Sequence, residues 1–489
     1  MANKARNMVP PVNFSKEIDS EQSLVVLCDE LAKAESFCQT PAEFQYAKRQ
    51  FDQGNELIVL NRYAAFLFLV IINTDGEAYK LREKCRKLGN EIQKLADKEK
   101  LESLQLKNEQ KTESYFLDLF EGLLLSNYQF GKYKKEKKKT FPESLTLLEG
   151  GFDTHHAEDV VNIAEGVFAT RDLVNEPVSY LTAQQFAKSI EELGKASGFE
   201  VKVLQKKEIE EERMEALLAV NKGSIDPPTF SILEYAPENS VNEKPIVLVG
   251  KGVVYDTGGL SLKPTENSMD IMKCDMAGAG AVVGTFVAIA KSKLPVKVIG
   301  LIPATDNRPG GNAYAPGDVI GSRKGSTIEV ANTDAEGRLV MADALDYARE
   351  LNPELVFDLA TLTGAAIRAI GQYGIVYMGN AGEDVKNQLE EAGKAVFERL
   401  VELPLWEDYG DELKSGIADI RNLGSNAAGA ITAGKFLEHF VDYNWVHFDI
   451  AGPAYLLKED SYRGKFGTGA GVRLLVEFFK KLVHRAENN

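Results

Sequence analysis

The chain is short of the residues on which several enzyme classes depend. It has four cysteines, Cys28, Cys38, Cys85 and Cys274, and no two stand at the spacing of a zinc knuckle or a redox pair. They read as free thiols of a reducing compartment. Cys274 adjoins Asp275, but neighbours in an extended segment point to opposite faces, which argues against a shared ligand role. Histidine is scarcer for its usual work: five occur, His155, His156, His439, His447 and His484, and no His-Glu-x-x-His run exists. A mononuclear zinc protease of that type is excluded. His155 and His156 fall in a polar linker and are not expected to be ligands. There is no Gly-x-Ser-x-Gly nucleophile elbow. Gly278-Ala-Gly280 has Val283 where a dinucleotide loop needs its third glycine, so small-residue helix packing is expected there. Residues 64–72, read as the most apolar stretch, are too few to span a bilayer. Residues 1–14 are polar and lack the apolar core of a signal peptide. The expectation is a cytoplasmic protein with no membrane segment.

Positive charge is also in deficit. There are 57 Lys and Arg against 73 Asp and Glu, a net charge of -16. The first 150 residues balance at 23 of each sign, so the whole imbalance lies beyond them. An acidic surface does not suit phosphate backbones, where counterion release needs basic side chains. It suits cationic substrates or bound divalent metal. The one basic run, Lys132-Tyr-Lys-Lys-Glu-Lys-Lys-Lys139, is the sole argument for a nucleic-acid-binding or regulatory protein, and it reads as a solvated loop.

What is present is enough chain for two domains, each with its own core. Residues 23–28, 56–61, 65–70 and 144–148 are strand-like, and 78–100 and 112–130 carry helical periodicity. Gly150-Gly151 and the polar stretch to Asp159 mark a boundary. The organisation expected is an α/β domain over 1–155, a linker helix over 156–178 and a second domain over 179–489. In the second domain, strands are expected at 199–204, 229–233, 245–250, 296–302, 327–331 and 355–360. Helices such as 277–292 and 338–350 lie between them. Such alternation predicts an α/β fold, each domain a mixed, largely parallel sheet flanked by helices. Sites in such sheets form outside the carboxyl ends of strands, where Lys251, Asp334 and Thr361 fall.

Chemistry gathers in two segments. Asn332-Thr-Asp-Ala-Glu-Gly-Arg-Leu339 carries two carboxylates two residues apart and an arginine two further on. Upstream, Lys251, Asp256, Lys263 and Asp275 offer the same donors. Carboxylates hold divalent ions at roughly 2.0–2.2 Å and can bridge two ions about 3.5–4 Å apart. Lysine must be neutral to coordinate, and a dication beside it can depress its pKa. Lys251 stands between Gly250 and Gly252, where the backbone can bend tightly. Gly258 and Gly259 permit unusual dihedrals that turn Asp256 inward while Lys263 projects from the next segment. Asp275 precedes a helix and has the alternative role of an N-cap. The conjunction of all these residues points to a two-metal hydrolytic site. A phosphoesterase would need a phosphate-binding cluster, and only Lys263 and Arg338 are available for one.

These residues resemble the leucyl aminopeptidase (cytosol aminopeptidase) family. The likeness runs from Arg171-Asp-Leu-Val-Asn-Glu-Pro177 through Val249-Gly-Lys-Gly-Val-Val-Tyr-Asp-Thr-Gly-Gly-Leu-Ser-Leu-Lys-Pro264 and the 332–339 signature. It continues in Asp358-Leu-Ala-Thr-Leu-Thr-Gly-Ala365 and Leu403-Pro-Leu-Trp406 and ends near Gly467-Thr-Gly-Ala-Gly-Val-Arg-Leu-Leu-Val476. It implies a variable N-terminal α/β (macro-like) domain, a catalytic C-terminal domain, a homohexamer, and release of N-terminal, leucine-like residues from peptides. One metal would be held by Lys251, Asp256, Asp275 and Glu336, the other by Asp256, Asp334 and Glu336. The ions expected are Zn²⁺, Mn²⁺ or Mg²⁺, with a water between them as the attacking group. Lys263 would stabilise the oxyanion, and Arg338 would hold a bicarbonate ion acting as general base. Met272, Asn332, Thr361 and Gly364 would line the substrate pocket. The chain departs from the family pattern in Tyr255 and Thr257, usually Phe and Ser. It also has one extra residue between Lys263 and Asp275, within 265–268.

Overall fold

The computed structural model describes residues 9–73, 75–136 and 139–488. The chain forms two compact units. The first comprises Met1–Phe168 and Glu459–Gly464, the second Ala169–Lys458 and Lys465–Asn489. The division falls inside the helix Thr154–Asn175, within the span expected to link the domains.

The first unit is built on a six-stranded sheet. Its strands run Val12–Ser15, Ser144–Leu148, Ser103–Glu109, Ser23–Cys28, Phe66–Ile71 and Leu57–Asn61 in spatial order. All neighbours are parallel except the last pair. Ser23–Cys28 is buried throughout, as a central strand covered on both faces should be. The helices Ala78–Glu99 and Glu113–Ser126 pair closely, with Arg86 buried between Asp118 and Glu121. Residues 459–464 belong here too: the Tyr462 hydroxyl donates to Glu83 Oε2 at 2.7 Å. The basic run at 132–139 is only partly described, since Lys137 and Lys138 lie outside the described residues. Lys139 pairs with Glu143. Of the polar start at 1–14, residues 1–8 also lie outside.

The second unit carries a nine-stranded sheet. In spatial order its strands are Leu400–Glu402, Ile375–Gly379, Trp445–Asp449, Leu355–Ala360, Ile246–Gly250, Val298–Asn307, Thr229–Tyr235 and Glu200–Leu204. The short strand Gly252–Asp256 pairs with the far end of Val298–Asn307. The centre is parallel and the flanks contain antiparallel pairs. Ile246–Gly250, Val298–Asn307 and Leu355–Ala360 are buried along their whole length, because helices cover both faces. On one face, Val247, Val249 and Val356 share a core with Leu339, Val340 and Leu345 of the helix Glu336–Glu350 and with Phe436 of Gly429–Glu438. On the other, a side chain at Gly250 would run into Ala279 of the helix Ala277–Lys291.

One expectation needs correcting. Residues 327–331 do not form a strand of the main sheet. Only Ile328–Glu329 is extended, in a separate three-stranded sheet with Val319–Ile320 and Ile420–Arg421. The Val and Ile content of that run serves a local core through Ile328 and Val330. A longer apolar segment than 64–72 lies in the second unit. Met269–Lys291 is long and apolar enough to cross a bilayer, but 83% of its most apolar window is buried inside the protein, which is what a core helix requires.

Candidate metal centre

The carboxyl ends of the central strands deliver the chemistry. Lys251 follows Ile246–Gly250 directly, Asp256 ends Gly252–Asp256, Asn307 ends Val298–Asn307 and Thr361 follows Leu355–Ala360. Asp334 and Glu336 come from the turn that opens the helix Glu336–Glu350, and Asp275 from the end of the 3-10 turn Met269–Cys274. Asp275 does not cap the helix that follows it, which begins after Met276 without a side-chain cap. Its Oδ1 accepts instead from Lys251 Nζ at 2.7 Å and from Thr361 Oγ1 at 2.8 Å.

Two ammonium groups knit four carboxylates together. Lys251 Nζ lies 2.7 Å from Asp275 Oδ1 and 3.0 Å from Glu336 Oε1, and donates to the Thr361 carbonyl at 3.0 Å. Lys263 Nζ lies 2.8 Å from Asp256 Oδ2 and 2.5 Å from Asp334 Oδ1. Carboxylate oxygens of Asp256, Asp334 and Glu336 fall within 4.8 Å of one another. All but Asp334 and Lys263 are almost fully buried.

Burial and mutual repulsion push the protons onto these groups. Burial, reinforced by Glu336, raises Asp256 to about 7. Burial also raises Asp275 and Asp334. Glu336 goes the other way: its burial is outweighed by Lys251 and Lys263, which hold it ionised. Burial disfavours the charge on Lys251 and Lys263, yet the surrounding carboxylates overcome it and hold both protonated. With all four acids ionised, two ammoniums would leave an excess of buried negative charge, and a buried charge needs a partner. Two oxygens have none: Asp275 Oδ2 and Glu336 Oε2 are buried without a hydrogen-bond donor. An all-oxygen set with an added amine, short of positive charge and with free lone pairs, fits hard or borderline divalent ions.

Backbone geometry explains how these groups converge. Gly258 and Gly259 both hold positive φ, +85° and +63°. The turn lets Gly258 N donate to Asp256 Oδ1 at 2.8 Å. Asn307 Nδ2 donates to the same oxygen at 2.8 Å and to the Thr333 carbonyl at 2.9 Å, so it pins Asp256 to the signature segment. Thr333 Oγ1 closes the loop by donating to the Gly258 carbonyl. Both substituted positions, Tyr255 and Thr257, take part. Thr257 Oγ1 donates to the Asn307 carbonyl, and the Tyr255 hydroxyl donates to the Met269 carbonyl at 2.9 Å, anchoring the 3-10 turn after the extra residue.

The remaining predicted residues surround this core. Asn332 Oδ1 accepts from Asp334 N at 2.8 Å. Met272 reaches the centre through its carbonyl, which accepts from Asp275 N. Gly364 starts the helix Gly364–Ile370 three residues beyond Thr361 and is exposed. Arg338 is buried, and burial lowers its pKa to about 10, with Glu336 and Asp449 opposing the fall. Its Nη1 donates to the Asn422 carbonyl at 2.8 Å. His155 and His156 pair with Glu158 and Glu113. Cys274 is buried, its thiol pushed up to about 12 by burial.

Sequence reasoning missed Asn307 and Asn422. Asn307 closes a strand, and extending that strand past residue 302 would have brought it to the carboxyl end. Asn422 offers no local signal. Its side chain accepts from Ala331 N and donates to the Asn332 carbonyl, some 90 residues away.

The model of the cytosol aminopeptidase family catalytic domain matches residues 168–476. A "Probable cytosol aminopeptidase" of Geobacter sulfurreducens is 47% identical over 373 residues, 75% of each chain. One from Chlorobium phaeobacteroides is 47% identical over 378 residues, 74% of each. Among solved structures, a mutant of tomato leucine aminopeptidase superposes with TM-score 0.85 at 26% identity, covering 98% of both chains. The bottromycin maturation enzyme BotP in complex with Mn gives TM-score 0.83 at 27% identity, covering 95% of this chain and all of that one. These likenesses support catalysis and not the nucleic-acid-binding alternative. The chain belongs to the cytosol aminopeptidase family and is a metal-dependent aminopeptidase.

Proposed function

We propose that Lys251, Asp256, Asp275, Asp334 and Glu336 hold two divalent ions, Zn²⁺ or Mn²⁺ with Mg²⁺ as the third choice, and that the enzyme releases leucine-like residues from the amino ends of peptides. The observation that carries this is the convergence of four carboxylates on two lysines, with Asp275 Oδ2 and Glu336 Oε2 buried and undonated. When bound, such ions acidify water and polarise a carbonyl, which is the chemistry peptide hydrolysis needs.

The protein's own groups supply the rest. Lys263 is kept protonated by its carboxylate neighbours, so its ammonium can stabilise negative charge developing on the substrate carbonyl oxygen. Arg338 offers a planar guanidinium that matches a planar oxyanion such as bicarbonate, which would accept the proton lost from the attacking water. Asn422 fixes the guanidinium by accepting from Nη1. Thr361, Gly364, Met272 and Asn332 form the pocket wall. The free amino terminus of a peptide is a donor that an internal peptide nitrogen is not, which accounts for exopeptidase action. The excess acidic charge beyond residue 150 favours that cationic end.

The domain assignment is a catalytic domain over 179–489, a linker helix over 156–178 and an N-terminal α/β domain over 1–155. Family membership supports a cytoplasmic location and a homohexamer, and exposed Trp406, Ile417 and Val401 give an assembly apolar surface to bury.

The test is hydrolysis of leucine p-nitroanilide by chelator-treated protein, with and without added Mn²⁺ or Zn²⁺, beside Asp334→Ala. Activity that returns with metal in the parent and not in the variant supports the assignment. A folded protein that stays inactive with every metal and binds none refutes it.

A further inference from the structure

Asp449 ends the strand Trp445–Asp449, opposite Ala360 in the parallel pair. It touches none of the proposed ligands and belongs to no motif quoted above, yet it is 1% exposed and its side chain bonds the turn after Leu355–Ala360 and the turn after its own strand. Oδ1 accepts from Leu362 N at 3.2 Å and from Ala451 N at 3.1 Å. Oδ2 accepts from Thr363 Oγ1 at 2.7 Å. The same hydroxyl oxygen accepts from Ala366 N at 3.0 Å, capping the helix Gly364–Ile370. The Thr363 hydroxyl is therefore fixed in direction, its proton on Asp449 and its lone pair on the helix.

The turn held in this way has a second attachment one residue upstream. Thr361 receives Lys251 Nζ on its carbonyl at 3.0 Å and donates through Oγ1 to Asp275 Oδ1 at 2.8 Å. We propose that Asp449 is a positioning residue, a clamp that sets residues 361–363 so that Thr361 holds Lys251 and Asp275 in place while the capped helix sets the pocket wall. The proposal rests on the assignment of Lys251 and Asp275 to the metal centre. A carboxylate is needed because one group must accept from two backbone N–H groups and a hydroxyl at once. Asparagine has one acceptor oxygen and an amide that can only donate. His447, two residues earlier, is held by Asp358 at 2.6 Å between Nδ1 and Oδ1 and gives Asp449 a favourable neighbour.

Removing partners of this outer kind from a metal site typically costs ~10–100-fold in metal affinity or activity. Three variants separate the two arms: Asp449→Asn, Thr363→Val and Thr363→Ser. Each is measured for Mn²⁺ affinity by titration of the chelated protein, for kcat and KM on leucine p-nitroanilide, and for thermal midpoint. Asp449→Asn is expected to weaken Mn²⁺ binding and lower kcat about tenfold or more. Thr363→Val is expected to raise KM with kcat within twofold, and Thr363→Ser to restore KM. Mn²⁺ affinity, kcat and KM all within twofold of the parent in Asp449→Asn overturn the clamp, as does a fall in activity that only tracks the folded fraction. A parent protein that neither binds Mn²⁺ nor hydrolyses the anilide overturns the metal assignment and the clamp with it, whereas an active parent with parent-like variants overturns the clamp alone.

Discussion

Gly337→Ala should separate stability from catalysis, because the added methyl group meets one flexible side chain. Gly337 is buried in the first turn of Glu336–Glu350. A Cβ there would lie 2.4 Å from Lys251 Cε, 2.6 Å from Nζ and 2.9 Å from Cδ. Carbon contacts settle near 3.5–4.0 Å, so the lysine head must retreat by about 1 Å. It cannot do so and keep contacts of 2.7 Å to Asp275, 3.0 Å to Glu336 and 3.0 Å to the Thr361 carbonyl. A misplacement of ~1 Å in a catalytic constellation costs about 10²-fold, which is ~2.7 kcal/mol of transition-state stabilisation. Folding feels opposing effects. Alanine is favoured over glycine within a helix by roughly 0.5–1 kcal/mol, while overpacking costs ~1–3 kcal/mol. The variant should therefore fold, with stability within about 2 kcal/mol of the parent and kcat/KM on leucine p-nitroanilide down ~100-fold. Metal-saturated kinetics and a thermal melt measure both. Kinetics within threefold of the parent would sink the reasoning, since the position of Lys251 would then not matter. Failure to fold would sink it differently, by showing that the backbone and not the lysine absorbs the methyl.

Four other outcomes follow from the geometry. Lys263→Ala should bind Mn²⁺ but lose about 10²–10³-fold in kcat, as removal of an oxyanion donor does; an unchanged kcat would reassign that role. Metal binding to the chelated protein at pH 6 should release protons, because Asp256 is raised to about 7 and Asp275 and Asp334 are raised as well, and ligands must be deprotonated. Calorimetric titration in two buffers of different ionisation enthalpy reads the release, and none at pH 6 would contradict the raised carboxylates. Without metal, a carboxyl whose folded pKa lies above its unfolded value contributes stability that is complete below the unfolded pKa and is lost as pH rises through the folded one. The chelated protein should accordingly lose the Asp256 contribution between about pH 4 and pH 7, and a melting temperature unaffected by Asp256→Asn across that window would refute it. Phe286→Ala, at a fully buried ring 5.3 Å from Phe199, should cost ~3–5 kcal/mol in denaturant unfolding while leaving KM of the folded enzyme unchanged.

The clustered carboxylates and lysines were legible because most of them lie on two short segments. Asp334 and Glu336 are two residues apart, and Lys251, Asp256 and Lys263 share one strand-and-turn unit whose glycines announce the bend. The supports were not legible. Asn307, Asn422 and Asp449 each bond residues 50 or more positions away, and an isolated Asn or Asp at a strand end looks like any turn residue. The fold shows the same division. Ser23–Cys28 and Leu355–Ala360 stand where their apolar runs place them. The edge pieces Leu400–Glu402 and Ile420–Arg421 are too short to have a pattern.

By itself the sequence determined the chemistry of this protein: an acidic, cysteine-poor α/β chain with two clusters of hard donors and no histidine motif. Residue type and local spacing suffice for that, since donor atoms and backbone permissiveness are properties of a few adjacent residues. Tertiary structure alone decided which donors meet, that Lys251 joins Asp275 to Glu336 and Lys263 joins Asp256 to Asp334. It also decided that residues 459–464 belong with the first unit. The links from Lys251 to Glu336 and from Lys263 to Asp334 join segments more than 70 residues apart, and no local pattern encodes a bond to so distant a partner.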